Sequence, residues 1–297
     1  MTTMAANSVM TNYGAMVALQ SLNRTADEMS TTQKRVSTGL RVADAKDDGA
    51  AFAVAQKVRG DVAGVTSANE QLGNAKGLLD TTLAGLTQIG SALKDVKSVM
   101  IKLADDNVTG DDRLNYMKQY DQLAKQIGQY VNDATYNGKT LLGTSANADG
   151  ATVGAGTDFN VVRNEKGDTY SFSGQASGAF DLTLADDVDA DPTDAAAAAA
   201  LWKTALAGNA AGDFGGIEAQ TNLAMATYGN DSRAIDSQIA YNKDKLDALS
   251  GGLGALIDAD LAKESARMQS LQIRQQLGTQ SLSTANQAPQ ALMKLFQ

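Results

Sequence analysis

Apolar positions recur at helical spacing along most of this chain. Leu22, Met29 and Val36 stand seven residues apart, as do Ala26, Gln33 and Leu40. That spacing predicts a helix over about 5–35, with Gln33 as a polar residue in its seam. Val9, Tyr13 and Met16 carry the stripe upstream. A longer helix follows, with Leu79, Leu86, Leu93 and Met100 in one row and Ala75, Thr82, Ile89, Val96 and Leu103 in the other. It stops at Asp105-Asp106-Asn107, and Thr109-Gly110-Asp111-Asp112 opens a third helix with Leu114, Met117, Leu123, Ile127 and Tyr130 on its apolar stripe. Asn137-Gly138 then signals a tight turn.

The pattern changes over 143–219. Phe159–Arg163 and Thr169–Phe172 alternate around Asn164-Glu165-Lys166-Gly167, which predicts a β-hairpin, and Phe180–Leu184 reads as a further strand. Asp194 is positioned to cap an Ala-rich helix through Trp202 and Leu206. Helical spacing returns after about residue 217. Ile235, Ile239, Asn242, Leu246, Leu249, Leu253 and Leu256 alternate steps of four and three. The pattern breaks at Asp258 and Asp260, then resumes through Leu261, Met268, Leu271, Leu282, Ala285 and Leu292. One long helix to about 250 and a terminal helix from about 258 are predicted. The order of helices, insert, helices lets the two halves pair antiparallel. The fold class is therefore mainly α: an elongated antiparallel helical coiled-coil bundle with a small α+β insert.

Charge sharpens this picture at the ends. Residues 1–23 and 275–293 contain no Asp, Glu, Lys or Arg, whereas chain termini are ordinarily frayed and polar. The central stripes are core. Two uncharged terminal helices alone cannot bury all their apolar surface, which points to packing against copies of the chain. Residues 143–220 hold 12 acidic and 3 basic side chains and so account for the whole net charge of −9. With no basic stripe, nucleic acid is not a partner. Absence of His and Cys excludes thiol nucleophiles, His-based acid–base catalysis and the usual zinc or iron ligand sets. No cofactor or metal is expected. Asp187-Val188-Asp189-Ala190-Asp191 has calcium-loop spacing, but Pro192 and Ala198 stand where glycine and glutamate are required. No apolar run reaches the ~20 residues of a membrane span, and the N-terminus lacks a basic region followed by an unbroken apolar stretch.

The segment Arg35-Val36-Ser37-Thr38-Gly39-Leu40-Arg41, followed by Asp44-Ala45-Lys46-Asp47-Asp48-Gly49-Ala50, resembles the N-terminal signature of bacterial flagellins. Gln275-Gln276-Leu277-Gly278-Thr279 and Ala285-Asn286-Gln287-Ala288-Pro289-Gln290 resemble their C-terminal signature, and Tyr136-Asn137-Gly138 their Phe-Asn-Gly turn. The likeness covers about 1–142 and 220–297, in the right order at both ends.

The resemblance implies an extracellular structural subunit that polymerises into the flagellar filament and is exported without a cleavable signal peptide. It implies three parts. Residues 1–44 and 258–297 form an inner domain, 45–142 and 220–257 a rod-like helical domain, and 143–219 a surface-exposed insert. Val9, Tyr13, Met16, Leu22, Met29, Val36, Leu271, Leu282, Pro289 and Leu292 are then expected to pack the filament core. Arg41, Asp44, Lys46, Asp47 and Asp48 are expected at the inter-domain junction. Some flagellins carry O-linked glycans, for which Thr152, Ser171, Ser173 and Ser177 are the candidates. Expected partners are further copies of the chain, the flagellar cap and hook-junction proteins, and an export chaperone. Innate-receptor flagellins carry a Gln-Arg-Val-Arg-Glu-Leu-Ala segment where this chain reads Lys94-Asp95-Val96-Lys97-Ser98-Val99-Met100, which predicts weak or absent activation. The alternatives are a hook–filament junction protein and an enzyme-bearing flagellin.

Overall fold

The structure, a computed structural model, describes residues 12–145, 153–182, 195–208 and 212–294. Its elements run α1 (Tyr13–Thr38), α2 (Gly49–Leu103), α3 (Gly110–Asp133), β1 (Phe159–Val162), β2 (Thr169–Phe172), α4 (Ala195–Ala207), α5 (Phe214–Ile257) and α6 (Leu261–Lys294). The protein is mainly α with a small two-stranded sheet, as the hydrophobic pattern predicts. The chain divides into two compact units, one of residues up to Asp61 and from Asp247 onward, the other Val62–Leu246. Val9, Thr152, Asp194 and the acidic run 187–191 lie outside the described residues.

The Val62–Leu246 unit is built on α2. Both of its predicted rows are buried, from Ala75 to Leu103 and from Leu79 to Met100. α5 runs antiparallel to it, with Asn242 beside Asn69 and Met225 beside Gly90. α3 packs alongside in the same antiparallel sense, with Ala134 next to Gly85 and Tyr136 next to Gly77. Of the expected α3 stripe, Ile127 is buried and Met117, Leu123 and Tyr130 pack against the core. Leu114 is exposed, and the buried face is Arg113, Tyr120, Ala124, Ile127 and Val131. Arg113 is 2% exposed because its guanidinium donates to the carbonyls of Leu103 (3.0 Å), Asp105 (3.1 Å) and Val108 (2.9 Å). A cation thereby satisfies carbonyls that the end of α2 leaves open, where the helix dipole favours positive charge.

The predicted hairpin forms, with Phe159 opposite Phe172 and Val162 opposite Thr169. Its turn is held by Asn164, whose side-chain oxygen accepts from the amides of Lys166 and Asp168. Gly167 takes the positive φ (85°) that the turn requires. No strand forms over Phe180–Leu182, contrary to expectation: Phe180 lies in a turn closed by Asp181 N–H to the Gly178 carbonyl. Phe180 and Leu182 are nonetheless buried in the common core, beside Phe172 and Trp202. Alternation there records burial, and the backbone finds its partners within the turn. The Ala-rich helix forms as α4, with Trp202 edge-on to Tyr120 at 4.8 Å.

Three backbone segments cross beneath the hairpin. Gln175 N–H donates to Leu141 carbonyl (2.7 Å), Gly156 N–H to Gln175 carbonyl (2.8 Å) and Thr144 N–H to Gly154 carbonyl (2.9 Å). A Cβ on Gly156 would fall 2.0 Å from the Leu141 oxygen, so only glycine fits. Gly156→Ala is expected to lower stability by ~2–3 kcal/mol, since backbone on all sides cannot yield as side chains do. Thermal unfolding followed by circular dichroism measures this, and an unchanged Tm would contradict the crossing.

Candidate self-assembly surface

α1 and α6 lie side by side in antiparallel pairing. Asn12 caps α1 by accepting from Ala15 N–H (3.0 Å) and donates its amide to the Ala285 carbonyl (2.7 Å). Further along, Leu22 packs over Gly278, where an added Cβ would lie 3.2 Å from it. At the far end Arg35 meets Glu264 at 3.2 Å.

The seam of α1 is Ala15, Ala18, Leu22, Thr25, Met29, Thr32 and Val36, all half-buried except the buried Thr32. Leu22, Met29 and Val36 therefore face α6 as expected. The second row does not: Ala26 and Gln33 are exposed, and Thr25 and Thr32 occupy it instead. Tyr13 lies about two and a half turns before Leu22, which turns it to the opposite face. Tyr13 is 64% exposed and Met16 63%, off the stripe on which the spacing put them. On α6, Leu271 is buried and Leu282 half-buried in the seam. Pro289 and Leu292 belong to the helical backbone of α6, and their side chains lie outside the description.

Charge divides this pair lengthwise. Glu28–Arg267 (3.7 Å) and Arg35–Glu264 both lie in the half formed by 24–38 and 261–274. The other half, 12–23 against 275–287, carries no ionisable Asp, Glu, Lys or Arg. Yet Tyr13, Met16, Val17 and Leu19 of α1 stand exposed there, with Leu277 (62%) on α6 and Ile273 just beyond. Each such side chain offers ~1.5–3 kcal/mol on full burial. A surface ion pair contributes ~0–1 kcal/mol. Apolar burial therefore dominates what this surface can gain from a partner. Beside the seam a groove of about 550 Å³ opens along Gly14, Val17, Ala18, Leu277, Gly278 and Ser281, ending in Arg24, Glu28 and Arg274.

The five expected junction residues gather where α1 meets the start of α2. α1 ends at Gly39 in the left-handed conformation (φ 71°). Arg41 donates its guanidinium to the Leu256 carbonyl (2.5 Å), and the amides of Arg41 and Val42 donate to Ile257 carbonyl (2.7 and 3.2 Å). Asp44 accepts from the Lys46 amide, Asp47 from the Ala43 amide, and Asp48 caps α2 through the amides of Ala50 and Ala51. Lys34, which the spacing gave no reason to single out, bridges Asp44 (2.7 Å) and Asp47 (3.1 Å) from ten and thirteen residues upstream. Asp260 caps α6 through the amides of Ala262 and Lys263, a role readable from its place just before the stripe resumes. Beneath these contacts Val42, Ala55 and Ile257 form a small core with Phe52 and Leu253. Ser171, Ser173 and Ser177 are exposed, and the Ser171 hydroxyl donates to Asn160 (2.6 Å).

Hydrogen bonds from Lys34 and then from backbone amides hold the Asp44 and Asp47 carboxyls below their ordinary 3.8, and the same carboxylates raise Lys34 above 10.5. Depressed carboxyls stabilise the turn fully above pH 3.8 and lose that contribution as pH falls through their lower folded values. Raised Lys34 contributes fully below pH 10.5 and loses it as pH rises through its folded value. The Ala43 and Lys46 amide resonances are expected to titrate with midpoints below 3.8, moving up towards 3.8 in Lys34→Ala. Midpoints at or above 3.8 in the unsubstituted protein would contradict the bridge.

Two family models match the chain: the bacterial flagellin N-terminal helical region over residues 9–147 and the C-terminal helical region over 212–296. Flagellin FljK of Caulobacter vibrioides is 33% identical, over 99% of this chain and 100% of that protein. A flagellin of Brucella melitensis is 30% identical, over 97% of this chain and 99% of its own length. A solved structure of a flagellar hook-associated protein from Vibrio parahaemolyticus shares the fold (TM-score 0.58, 16% identity), covering 71% of this chain and 100% of its own.

Proposed function

The chain belongs to the bacterial flagellin family, and we propose that the α1–α6 pair is the surface through which its copies join. It is a structural subunit that polymerises with copies of itself into the flagellar filament of swimming bacteria. The observation that carries the surface assignment is the charge-free half of the pair, with Tyr13, Met16 and Leu277 each more than half exposed. Net charge there would be stacked against itself at every repeat of a filament, whereas Asn, Gln, Ser and Thr hydrogen-bond between copies without that cost. No observation favours the hook–filament junction protein: the likeness to a hook-associated protein is one of fold.

On this reading residues 1–44 and 258–297 form the inner layer, 45–142 and 220–257 surround it, and 143–219 contributes the outer surface. Leu22, Met29, Val36, Leu271 and Leu282 tie the two termini together, while Tyr13 and Met16, with Val9, Pro289 and Leu292, meet neighbouring copies. Arg41, Asp44, Lys46, Asp47 and Asp48 fix the chain's path between layers. The cap and hook-junction proteins engage the same apolar surface at the filament's ends. An export chaperone covers it beforehand. The protein works mechanically, with no catalytic step. Ser171, Ser173 and Ser177 are accessible to O-glycosylation, with Thr152 the fourth candidate, and intact-mass measurement of native filaments decides this.

Removing residues 276–297 is expected to leave the helical content and Tm of the Val62–Leu246 unit in place while abolishing salt-induced polymerisation seen by electron microscopy. Long filaments from the truncated chain would overturn the assignment. In the receptor-related segment Lys94, Asp95, Lys97 and Ser98 are exposed while Val96, Val99 and Met100 are buried. Asp95 thus offers a negative charge where receptor-activating flagellins offer arginine. Weak or absent signalling in a receptor-reporter assay is expected, and robust signalling at low protein concentration would contradict it.

A further inference from the structure

Asn242 is a polar residue in the buried stripe of α5 whose amide reaches α2, whereas the buried Thr221 hydroxyl only donates to the Ile217 carbonyl of its own helix. Asn242 is 0% exposed, between Ile239 and Leu246 on its own helix and opposite Asn69 of α2, whose neighbours Val65 and Leu72 are buried. Its amide nitrogen donates to Asn69 Oδ1 (2.8 Å) and to the Arg163 carbonyl (3.0 Å). Its oxygen accepts from Gln238 Nε2 at 2.9 Å. One side chain thus ties together three elements: α2, α5 and the end of β1. A second tie lies one turn on, where Lys245 holds Glu165 of the hairpin turn at 2.6 and 2.7 Å. The backbone comes close here too: a Cβ on Gly64 would lie 2.9 Å from Glu165 Cβ.

A seam made only of apolar residues in steps of three and four is nearly self-similar under a shift of one turn or one heptad. Its energy discriminates poorly between such registers. A buried amide discriminates sharply, since any slip leaves it desolvated without partners. We propose that Asn242 is the register-determining residue of the α2–α5 pair, with Asn69 and the Arg163 carbonyl as the receptors that define the single allowed alignment. The hairpin then acts as a gauge: it carries one of the two receptors and is pinned beside it by Lys245. For a filament subunit the consequence is uniformity, because a lattice accepts only copies that present identical surfaces. This deepens the assembly reading but is tested on the free chain, so its failure leaves that reading untouched.

The protein has no cysteine, so paired spin labels can be placed cleanly in the full-length chain. Ser67→Cys on α2 and Lys243→Cys on α5, both exposed positions, report the register as an inter-label distance. The native background is expected to give one narrow distance distribution. Asn242→Leu is expected to add a second population of about 10% or more, displaced by ~5 Å for each turn of slip, with no fall in Tm. Asn69→Leu removes the receptor on the other helix and is expected to broaden the distribution in the same way. A single unchanged narrow distribution in both variants would overturn the proposal. So would loss of folding in both, because a specificity device can be removed without unfolding the chain. If only Asn242→Leu fails to fold, the Asn69→Leu distribution decides.

Discussion

Two helices packed side by side can each hide only the stripe that faces the other. That limit governs α1 and α6. Their mutual seam takes up Leu22, Met29, Thr32 and Leu271, and the opposite faces keep Tyr13, Met16, Ile273 and Leu277 in water. A further partner comes from outside the described pair, and on the proposed assembly it is another copy of the chain. The absence of charge from 1–23 and 275–293 follows from the same limit. A charge tolerated once at a free surface would recur at every repeat and be desolvated each time.

The Val62–Leu246 unit has solved the same problem internally. Three helices and a hairpin enclose both rows of α2, so its large apolar side chains find partners within the unit. Several of its buried polar groups are anchored, while Tyr120 Oη, Trp202 Nε1 and Arg163 Nε are buried without a hydrogen-bond partner. Arg113 closes the carbonyls at the end of α2, Tyr228 donates to the Ser173 carbonyl, and Asn242 joins α2 to the hairpin. On the proposed assignment, stability and assembly fall to different parts of one sequence, and the charge-free ends accord with that division.

How much of this was legible in the sequence varied with how strongly each face is buried. The α2 rows are legible because Leu, Ile and Val dominate them, with Thr82 their one polar member. α1 was read as a helix but partly out of phase. Its second seam row is Thr25 and Thr32, whose methyl groups pack while their hydroxyls make them count as polar, so the Ala26–Gln33 row looked equally good. Arg113 was passed over since an ionised side chain is buried only when something local needs its charge. The stretch at Phe180 instead forms a turn, closed by the Asp181 amide on the Gly178 carbonyl. Lys34 bridging to Asp44 and Asp47 left no trace in spacing, because a turn rather than a helix brings those residues together. The proposed assembly surface rests on composition, while the backbone shows which residues of α1 and α6 face each other and which face outward.

If copies join through α1 and α6, the outward faces of these helices are buried between copies in the assembled filament. Helical reconstruction of salt-polymerised filaments by electron cryo-microscopy tests it directly. The account predicts that the side chains of Tyr13, Met16, Ile273 and Leu277 lie against neighbouring copies near the filament axis, with no Asp, Glu, Lys or Arg packed among them. A filament in which these side chains face bulk solvent at the outer surface, or in which α1 and α6 have parted, would contradict it.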